Sequence, residues 1–220
     1  MSHTVHPFSH RLGIIRDWKS RWFALHGKYR ENLKADVLLR GFLFKRLKGM
    51  HVGGVEIERG EKTLRVVVKT ARPGLIIGRS GEGSVKLRND IIAFLKKNKI
   101  IVSEALKLDI EEVKSAESNA AIVAEMIAEG LEKRMPFRRV MKQMIEKVMA
   151  SREVEGVKIY LGGRLGGADM ARSETLKKGR IPLQTLRADI DFAIGRASIP
   201  QGDLGIKVWI YKGEVFNKKS

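Results

Sequence analysis

Cysteine is absent from this 220-residue chain, and so are long apolar runs. Without cysteine there are no disulfides and no zinc sites with thiolate ligands, so a reducing cytoplasm is the expected compartment. No apolar run approaches the roughly 20 residues that a helix needs to cross a bilayer. Residues 1–17 lack the apolar segment of a signal peptide. We therefore expect neither a disulfide-rich secreted protein nor a membrane protein.

Acidic residues are scarce relative to basic ones. The sequence contains 25 Asp and Glu against 43 Lys and Arg, which gives a formal net charge of +18. Residues 1–100 hold 22 basic residues against 8 acidic ones, whereas residues 101–150 hold 8 against 9. Such a surplus predicts a polyanionic partner, and nucleic acid is favoured over an anionic membrane surface.

Recognisable catalytic constellations are also missing. No histidine belongs to an HExxH pair, and no Lys-Ser or Lys-Thr follows a glycine loop as a P-loop requires. Asp189 and Asp191 are two residues apart in a strand pattern and could pair on a metal, but exposed strand carboxylates are far commoner. We predict a protein that is not an enzyme, with no metal, no cofactor and no small-molecule substrate.

The chain divides into an arm and two domains. Residues 1–28 are predicted to be an irregular basic arm with interleaved aromatics, which either stays disordered or orders on RNA or a neighbouring protein. Residues 29–110 show the order helix, two strands, glycine-rich turn, helix, strand. Residues 111–220 show two helices and several alternating strands, which predicts an antiparallel four-stranded sheet covered by two helices. The expected fold class is α+β.

The first helix of the 29–110 domain is predicted over residues 30–48. Four apolar residues are expected on its buried face: Leu33, Val37, Phe44 and Leu47.

The turn Gly78-Arg79-Ser80-Gly81 is the most specific motif. Ile76 and Ile77 precede it and a helix follows, so the free N–H groups of the helix start and Arg79 can face a phosphate chain. This is the arrangement of a KH module, whose GXXG loop holds a single strand of about four nucleotides. The alternative is a plain glycine turn, since Gly163-Arg164-Leu165-Gly166 fits the bare pattern too. The surrounding elements favour RNA binding.

A second basic group lies on the second helix of the C-terminal domain. At 100° per residue, Arg138, Arg139 and Lys142 occupy a contiguous arc beside the apolar stripe. A solvated face and an RNA-binding face are both compatible with this pattern. In the glycine-rich run that follows, Arg164 and Arg172 are further candidates for phosphate contacts.

Several segments resemble bacterial small-subunit ribosomal protein three, over residues 5 to about 215. They are Val5-His6-Pro7, Arg11-Leu12-Gly13-Ile14, Asp17-Trp18, Trp22-Phe23-Ala24, Thr70-Ala71-Arg72-Pro73-Gly74, Phe137-Arg138-Arg139-Val140-Met141-Lys142, Gly163-Arg164-Leu165-Gly166-Gly167, Pro182-Leu183-Gln184-Thr185-Leu186-Arg187-Ala188-Asp189-Ile190-Asp191 and Gly205-Ile206-Lys207-Val208-Trp209-Ile210. The resemblance implies a type-two KH domain followed by an α+β domain.

The same resemblance implies a function. A protein of this family sits in the head of the small ribosomal subunit, binds its rRNA and lines the channel where mRNA enters, assisting the unwinding of structured mRNA. Expected protein neighbours are the tenth and fourteenth proteins of the head and the fourth and fifth proteins of the mRNA entrance, and the expected location is cytoplasmic and ribosome-bound.

Roles are expected for three sets of residues, the first of them by the resemblance. The mRNA-unwinding residues are Arg138, Arg139 and Lys142. The KH-loop residues are Arg72, Gly78, Arg79, Ser80 and Gly81. Further rRNA contacts are expected at Arg11, Lys19, Arg164 and Arg172.

Two departures and two alternatives accompany this interpretation. The loop carries one basic residue, Arg79, where many relatives carry two, and the chain ends at Lys218-Lys219-Ser220 where many relatives continue into a basic tail. The alternatives are a free KH-type RNA chaperone or decay factor and a nuclease. Sedimentation with or away from ribosomes separates the first alternative, and the missing acid/base cluster argues against the second.

Overall fold

The computed structural model describes residues 5–60, 63–98, 100 and 105–216. The described residues of Met1–Asp17 and Ser115–Ser220 form one compact unit, and those of Trp18–Lys114 form the other. The predicted arm is therefore divided between the two units, and the boundary expected after residue 110 lies four residues later. The expectation concerning Lys218-Lys219-Ser220 lies outside the described residues. None of the described helices is long and apolar enough to cross a membrane.

The unit Trp18–Lys114 is built on one four-stranded sheet, which has the order β1-β2-β3-β4. Strands β2 and β3 are antiparallel, whereas β1 runs parallel to β2 and β4 runs parallel to β3. The elements are β1 Ser20–Arg21, α1 His26–Arg46, β2 Val52–Arg59, β3 Thr63–Thr70, α2 Pro73–Ile77, α3 Glu82–Lys97 and β4 Ala105–Glu112. The predicted order of helix, two strands, glycine turn, helix and strand is confirmed.

Of the four residues predicted on the buried face of the first helix, Leu47 is buried, directly after the end of α1, and the other three are not. Leu39, Leu43 and Leu47, spaced four residues apart, are buried in the core of this unit, whereas Leu33, Val37 and Phe44 are exposed. The pattern misleads because α1 carries two apolar stripes, and the stripe that faces the core also contains the charged residue Asp36.

Asp36 is tolerated in the core because its carboxylate is fully paired. It accepts a hydrogen bond from Trp22 Nε1 at 2.7 Å and forms an ion pair with Arg59 at 2.8 Å, and both charged groups are almost entirely buried. A buried charge with such partners avoids the cost of an unpaired one. The pair ties the start of the unit, α1 and β2 together.

The other unit places two helices on one face of an antiparallel sheet with the order β6-β5-β8-β7. Its elements are α4 Ala120–Glu132, α5 Phe137–Met149, β5 Gly156–Gly163, β6 Arg172–Gly179, β7 Ala188–Ile199 and β8 Gly202–Glu214. Asn119 caps α4 by accepting hydrogen bonds from the N–H groups of Ala121 and Ile122. The predicted α+β class with two helices and four antiparallel strands is confirmed.

Alternation along β8 separates two apolar layers. Ile206, Val208 and Ile210 enter the main core beneath the helices, while Trp209 and Tyr211 join a smaller cluster on the opposite face. The arm contacts this smaller cluster through His6, whose ring meets the Phe192 ring edge-on at a centroid distance of 4.7 Å. Within the described residues, this part of the predicted arm is ordered by its own chain.

Candidate nucleic-acid interface

The glycine loop, Gly78-Arg79-Ser80-Gly81, joins α2 to α3 through backbone conformations that residues other than glycine rarely adopt. Gly78 has φ 71° and ψ −174°, a conformation open essentially to glycine alone. Ser80 (φ 53°) and Gly81 (φ 81°) then follow in the left-handed region before α3 begins at Glu82. The four-residue turn is thus a sharp, outward-pointing loop, as the sequence predicts.

Gly83 permits the closest contact of this motif. A Cβ atom at this position would lie 2.4 Å from the carbonyl oxygen of Ile76 and 2.8 Å from that of Ile77. The first turn of α3 therefore packs directly against the last turn of α2, and the spacing of the two helices is set by the missing side chain. The sequence shows the glycine but not this close approach.

The loop presents its polar groups to solvent. Arg72, Arg79 and Ser80 are exposed, and Arg79 has no ion-pair partner among the described residues. No side chain caps the start of α3, but the N–H of its first residue, Glu82, donates to the carbonyl oxygen of Arg79 and so already has a partner. An anionic backbone lying on the loop would meet the exposed guanidinium of Arg79.

A groove of about 130 Å³ lies beside the loop. Its lining is mainly apolar but includes two cations, Arg46 and Lys86. This combination suits an unstacked base with its phosphate. It is lined by Arg46, Leu47, Met50, Leu75, Ile76, Gly83, Lys86 and Leu87.

The basic arc of α5 is held outward by the packing beneath it. Met141, Ile145 and Val148 are buried in the core, and this fixes the rotation of the helix. Arg139 and Lys142 are exposed and have no ion-pair partner among the described residues. We call Arg138, Arg139 and Lys142 the α5 cations.

Arg138 differs from the other two α5 cations because it is paired. Its Nη2 donates to Oε1 of Glu174 on β6 at 2.7 Å, and its Nε donates to the same oxygen at 3.2 Å. This hydrogen bond lowers the pKa of Glu174 below its ordinary value and raises the pKa of Arg138. Each shift favours the charged form, so both groups stay ionised near neutral pH.

Arg172 on β6 approaches the α5 cations through an aromatic ring. The guanidinium carbons of Arg138 and Arg172 lie 5.7 Å and 5.6 Å from the centroid of Phe137, within the range of cation–π attraction. The positive charge of Arg172 also lowers the pKa of Glu174. In the sequence Arg172 follows the glycine-rich run, whereas in the structure its guanidinium lies against the ring of Phe137.

Arg164 mostly organises its own loop. It donates to the carbonyl oxygens of Ala168 at 2.9 Å and Gln201 at 3.3 Å, and it pairs with Asp169 at 3.2 Å. Its side chain remains partly exposed. An RNA contact at Arg164 stays a prediction, as does one at Lys19, which is exposed just before β1.

Arg11 does not fit the predicted role of an rRNA contact. Its side chain is fully buried and donates to the carbonyl oxygens of Ala188 at 2.6 Å, Thr185 at 2.9 Å, Leu183 at 3.0 Å and Pro7 at 3.0 Å. Burial lowers the pKa of this guanidinium from its ordinary value. A phosphate cannot reach a side chain in this position, so Arg11 is a structural residue that fastens the arm to the loop before β7.

The carboxylates considered as a metal pair serve other purposes. Asp189 forms an ion pair with Arg16 at 2.5 Å, and Asp191 accepts a hydrogen bond from the N–H of Ala120 at the start of α4. In the part of the chain that the structure describes, no group of three or more potential metal ligands is found.

Comparisons with known proteins match both units. The family model described as "KH domain" matches residues 38–118, and the one described as "Ribosomal protein S3, C-terminal domain" matches residues 127–210. A protein of Caldicellulosiruptor saccharolyticus named "Small ribosomal subunit protein uS3" is 45% identical over 219 residues, covering 100% of this chain and 96% of the relative.

Two further relatives, from other organisms, carry the same name. The relative from Endomicrobium trichonymphae is 48% identical over 219 residues, covering 99% of this chain and 90% of its own length. The relative from Xanthomonas oryzae pv. oryzae is 45% identical over 217 residues, covering 99% of this chain and 86% of its own length. The similarity therefore extends across both units rather than over one module.

Proposed function

Because the chain belongs to the uS3 family of small ribosomal subunit proteins, we propose that it binds small-subunit rRNA and lines the channel where mRNA enters, assisting the passive unwinding of structured mRNA. Membership of this family makes it a structural component of the small subunit that binds RNA through its KH domain, and not an enzyme. Its place is on the ribosome, and the proposed compartment is the cytoplasm.

The observation that carries the unwinding proposal is the fixed orientation of the α5 cations. The packed helix fixes the direction in which the three side chains leave the backbone, so all three cations reach solvent on one side of α5 and can contact phosphates there. The sequence contains no nucleotide-binding P-loop, so free energy for strand separation must come from elsewhere. Translocation pulls the mRNA inward, and the α5 cations stabilise the single strands as the duplex opens.

Replacing Arg138, Arg139 and Lys142 together by alanine is expected to slow ribosomes on structured mRNA by roughly fivefold, because each exposed phosphate contact contributes a fraction of a kcal/mol. Rates on an unstructured mRNA should not change. The measurement is single-turnover translocation by reconstituted ribosomes through a stable hairpin and through an unpaired message.

Lys147→Ala supplies the control for this triple variant. Lys147 is an exposed cation on the same helix, and it pairs with Glu117 at 3.9 Å on a different side of α5. It should leave hairpin transit unchanged. If the triple variant and the wild type pass through the hairpin at equal speeds, the α5 cations form a solvated face and do not act in unwinding.

We propose that the glycine loop binds a phosphate backbone with little base preference. Changing Arg79 and Ser80 to Asp should weaken binding of a single-stranded oligoribonucleotide roughly tenfold at low salt, because cation release drives such contacts. The loss should shrink as salt rises. Fluorescence anisotropy of the full-length protein across a salt series measures both quantities.

A control with the same change of charge lies on β4. Ala105 and Lys107 are both exposed there, and changing both to Asp alters the net charge equally at a site away from the loop. If this pair weakens binding as much as the loop pair does, the effect belongs to overall charge. If the affinity of the loop variant for RNA is unchanged at low salt, the RNA site lies elsewhere on the protein.

The neighbours proposed for this chain are mRNA, the tenth and fourteenth proteins of the head, and the fourth and fifth proteins at the mRNA entrance. Sucrose-gradient fractionation tests the whole assignment. We expect the protein in the small-subunit and ribosome fractions, whereas a free KH-type chaperone or decay factor would remain near the top of the gradient.

A further inference from the structure

We propose that the surface formed by the α5 cations continues onto β6, where Arg172 is a fourth phosphate-binding residue and Glu174 is a positioning residue that aims Arg138. This inference rests on the proposed unwinding function. Glu174 lies 36 residues further along the chain than Arg138, on a strand that carries little sequence signal.

The side of β6 that faces α5 follows from its alternation. Leu176 packs against the core beneath the helices, so Glu174 and Arg172, at two-residue steps, lie on the same side of the strand. The cation–π contact of Arg172 with Phe137 and the ion pair of Glu174 with Arg138 both agree with this direction. Helix and strand therefore contribute to one continuous surface.

Arg172 is available to a phosphate in a way that the neighbouring Arg164 is not. Arg172 is exposed, and no carboxylate within the described residues forms an ion pair with it. Its contact with the face of Phe137 restrains the guanidinium while leaving the N–H edges accessible. The guanidinium of Arg138 contacts the same ring, so Phe137 makes cation–π contacts with two arginines from different elements.

Glu174 lies beneath Arg138 rather than in front of it. The Glu174 side chain is 25% exposed and that of Arg138 is 67% exposed, so an anion approaching from solvent meets the guanidinium first. An arginine has five N–H donors, and the carboxylate uses the Nε and Nη2 edge. The remaining donors are held in a fixed plane, which is the geometry that bidentate phosphate binding requires.

The alternative to a positioning role for Glu174 is a competing one, because a carboxylate beside an RNA site repels phosphate. The two roles predict opposite results. A positioning carboxylate aids unwinding when present, whereas a competing carboxylate hinders it. A carboxylate needed only for folding would affect unwinding independently of Arg138.

A double-mutant cycle in reconstituted ribosomes decides among these roles. Under the proposal, Glu174→Ala slows hairpin transit about as much as Arg138→Ala does, roughly twofold, and adding it to Arg138→Ala causes no further loss. Glu174→Gln, whose amide oxygen still accepts from Arg138, should recover most of the rate. Faster transit by Glu174→Ala, or additive losses in the double variant, would overturn the positioning role.

Arg172→Ala tests the fourth cation. It should slow hairpin transit about twofold and spare unstructured mRNA, as expected for one lost phosphate contact. Lys177→Ala is the matched control, because Lys177 is exposed on the same strand and alternation places it on the opposite side. Equal rates for Arg172→Ala and Lys177→Ala would remove Arg172 from the surface.

The triple variant of the α5 cations separates the two levels of failure. If the triple variant slows hairpin transit but the Arg172 and Glu174 variants behave as wild type, the extension onto β6 is wrong and the proposed function stands. If the triple variant has no effect either, the proposed function itself fails. Sedimentation of each variant with the small subunit confirms that it has been incorporated.

Discussion

Replacing Gly83 by alanine is expected to destabilise the unit Trp18–Lys114 by about 1–3 kcal/mol, the usual cost of forcing atoms into a packed site. The new Cβ would lie 2.4 Å and 2.8 Å from two backbone oxygens, those of Ile76 and Ile77. Backbone atoms cannot rotate aside as a flexible side chain can, so α2 and α3 must separate. The glycine loop between them would shift with the helices, and RNA binding by the loop should fall as well.

Gly41→Ala is the matched control for this change. Gly41 lies within α1 and a Cβ there would meet no atom within 4 Å, so the same substitution should stabilise the helix by up to about 1 kcal/mol. Denaturant unfolding monitored by circular dichroism measures both variants, and an oligoribonucleotide titration measures the loop. A Gly83→Ala protein as stable as wild type would show that α2 and α3 can separate without cost.

The order of helices and strands in the KH domain could be predicted because most of it follows from local sequence patterns. The glycine loop with its preceding Ile76 and following helix, and the alternation of Leu106 and Leu108 on β4, are visible over a few residues each. The buried face of α1 could not be read in this way. Asp36 makes the inner stripe look polar until Arg59 and Trp22 are seen to pair with it.

The candidate site shows the same division between local and long-range information. The 100° arc of the α5 cations follows from helix geometry alone. Glu174 is 36 residues away from Arg138, on an edge strand whose one large apolar residue is Leu176, so no pattern connects them. Charge by itself also misleads, because Arg11 looks like a phosphate contact in sequence and is fully buried in the fold.

Arg11→Ala should be among the most destabilising single changes in the unit that contains the C-terminal sheet. The side chain makes four hydrogen bonds to backbone carbonyl oxygens, including those of Ala188 and Leu183. Hydrogen bonds from a charged group contribute about 1.5–3 kcal/mol each, but they are not additive and burial of the charge offsets part of them. We expect a loss of about 3–5 kcal/mol.

The loss at Arg11 should be local to one unit. Hydrogen exchange should show the amides of β7 and β8 opening at a lower free energy, while those of β2 and β3 keep their protection. Arg196→Ala is the control, since Arg196 is an exposed arginine on β7 that pairs with Asp203 at 3.2 Å, and it should change stability by less than about 1 kcal/mol. If Arg11→Ala were as mild as Arg196→Ala, the arm would be held by its apolar contacts, such as that of His6 with Phe192, rather than by the buried guanidinium.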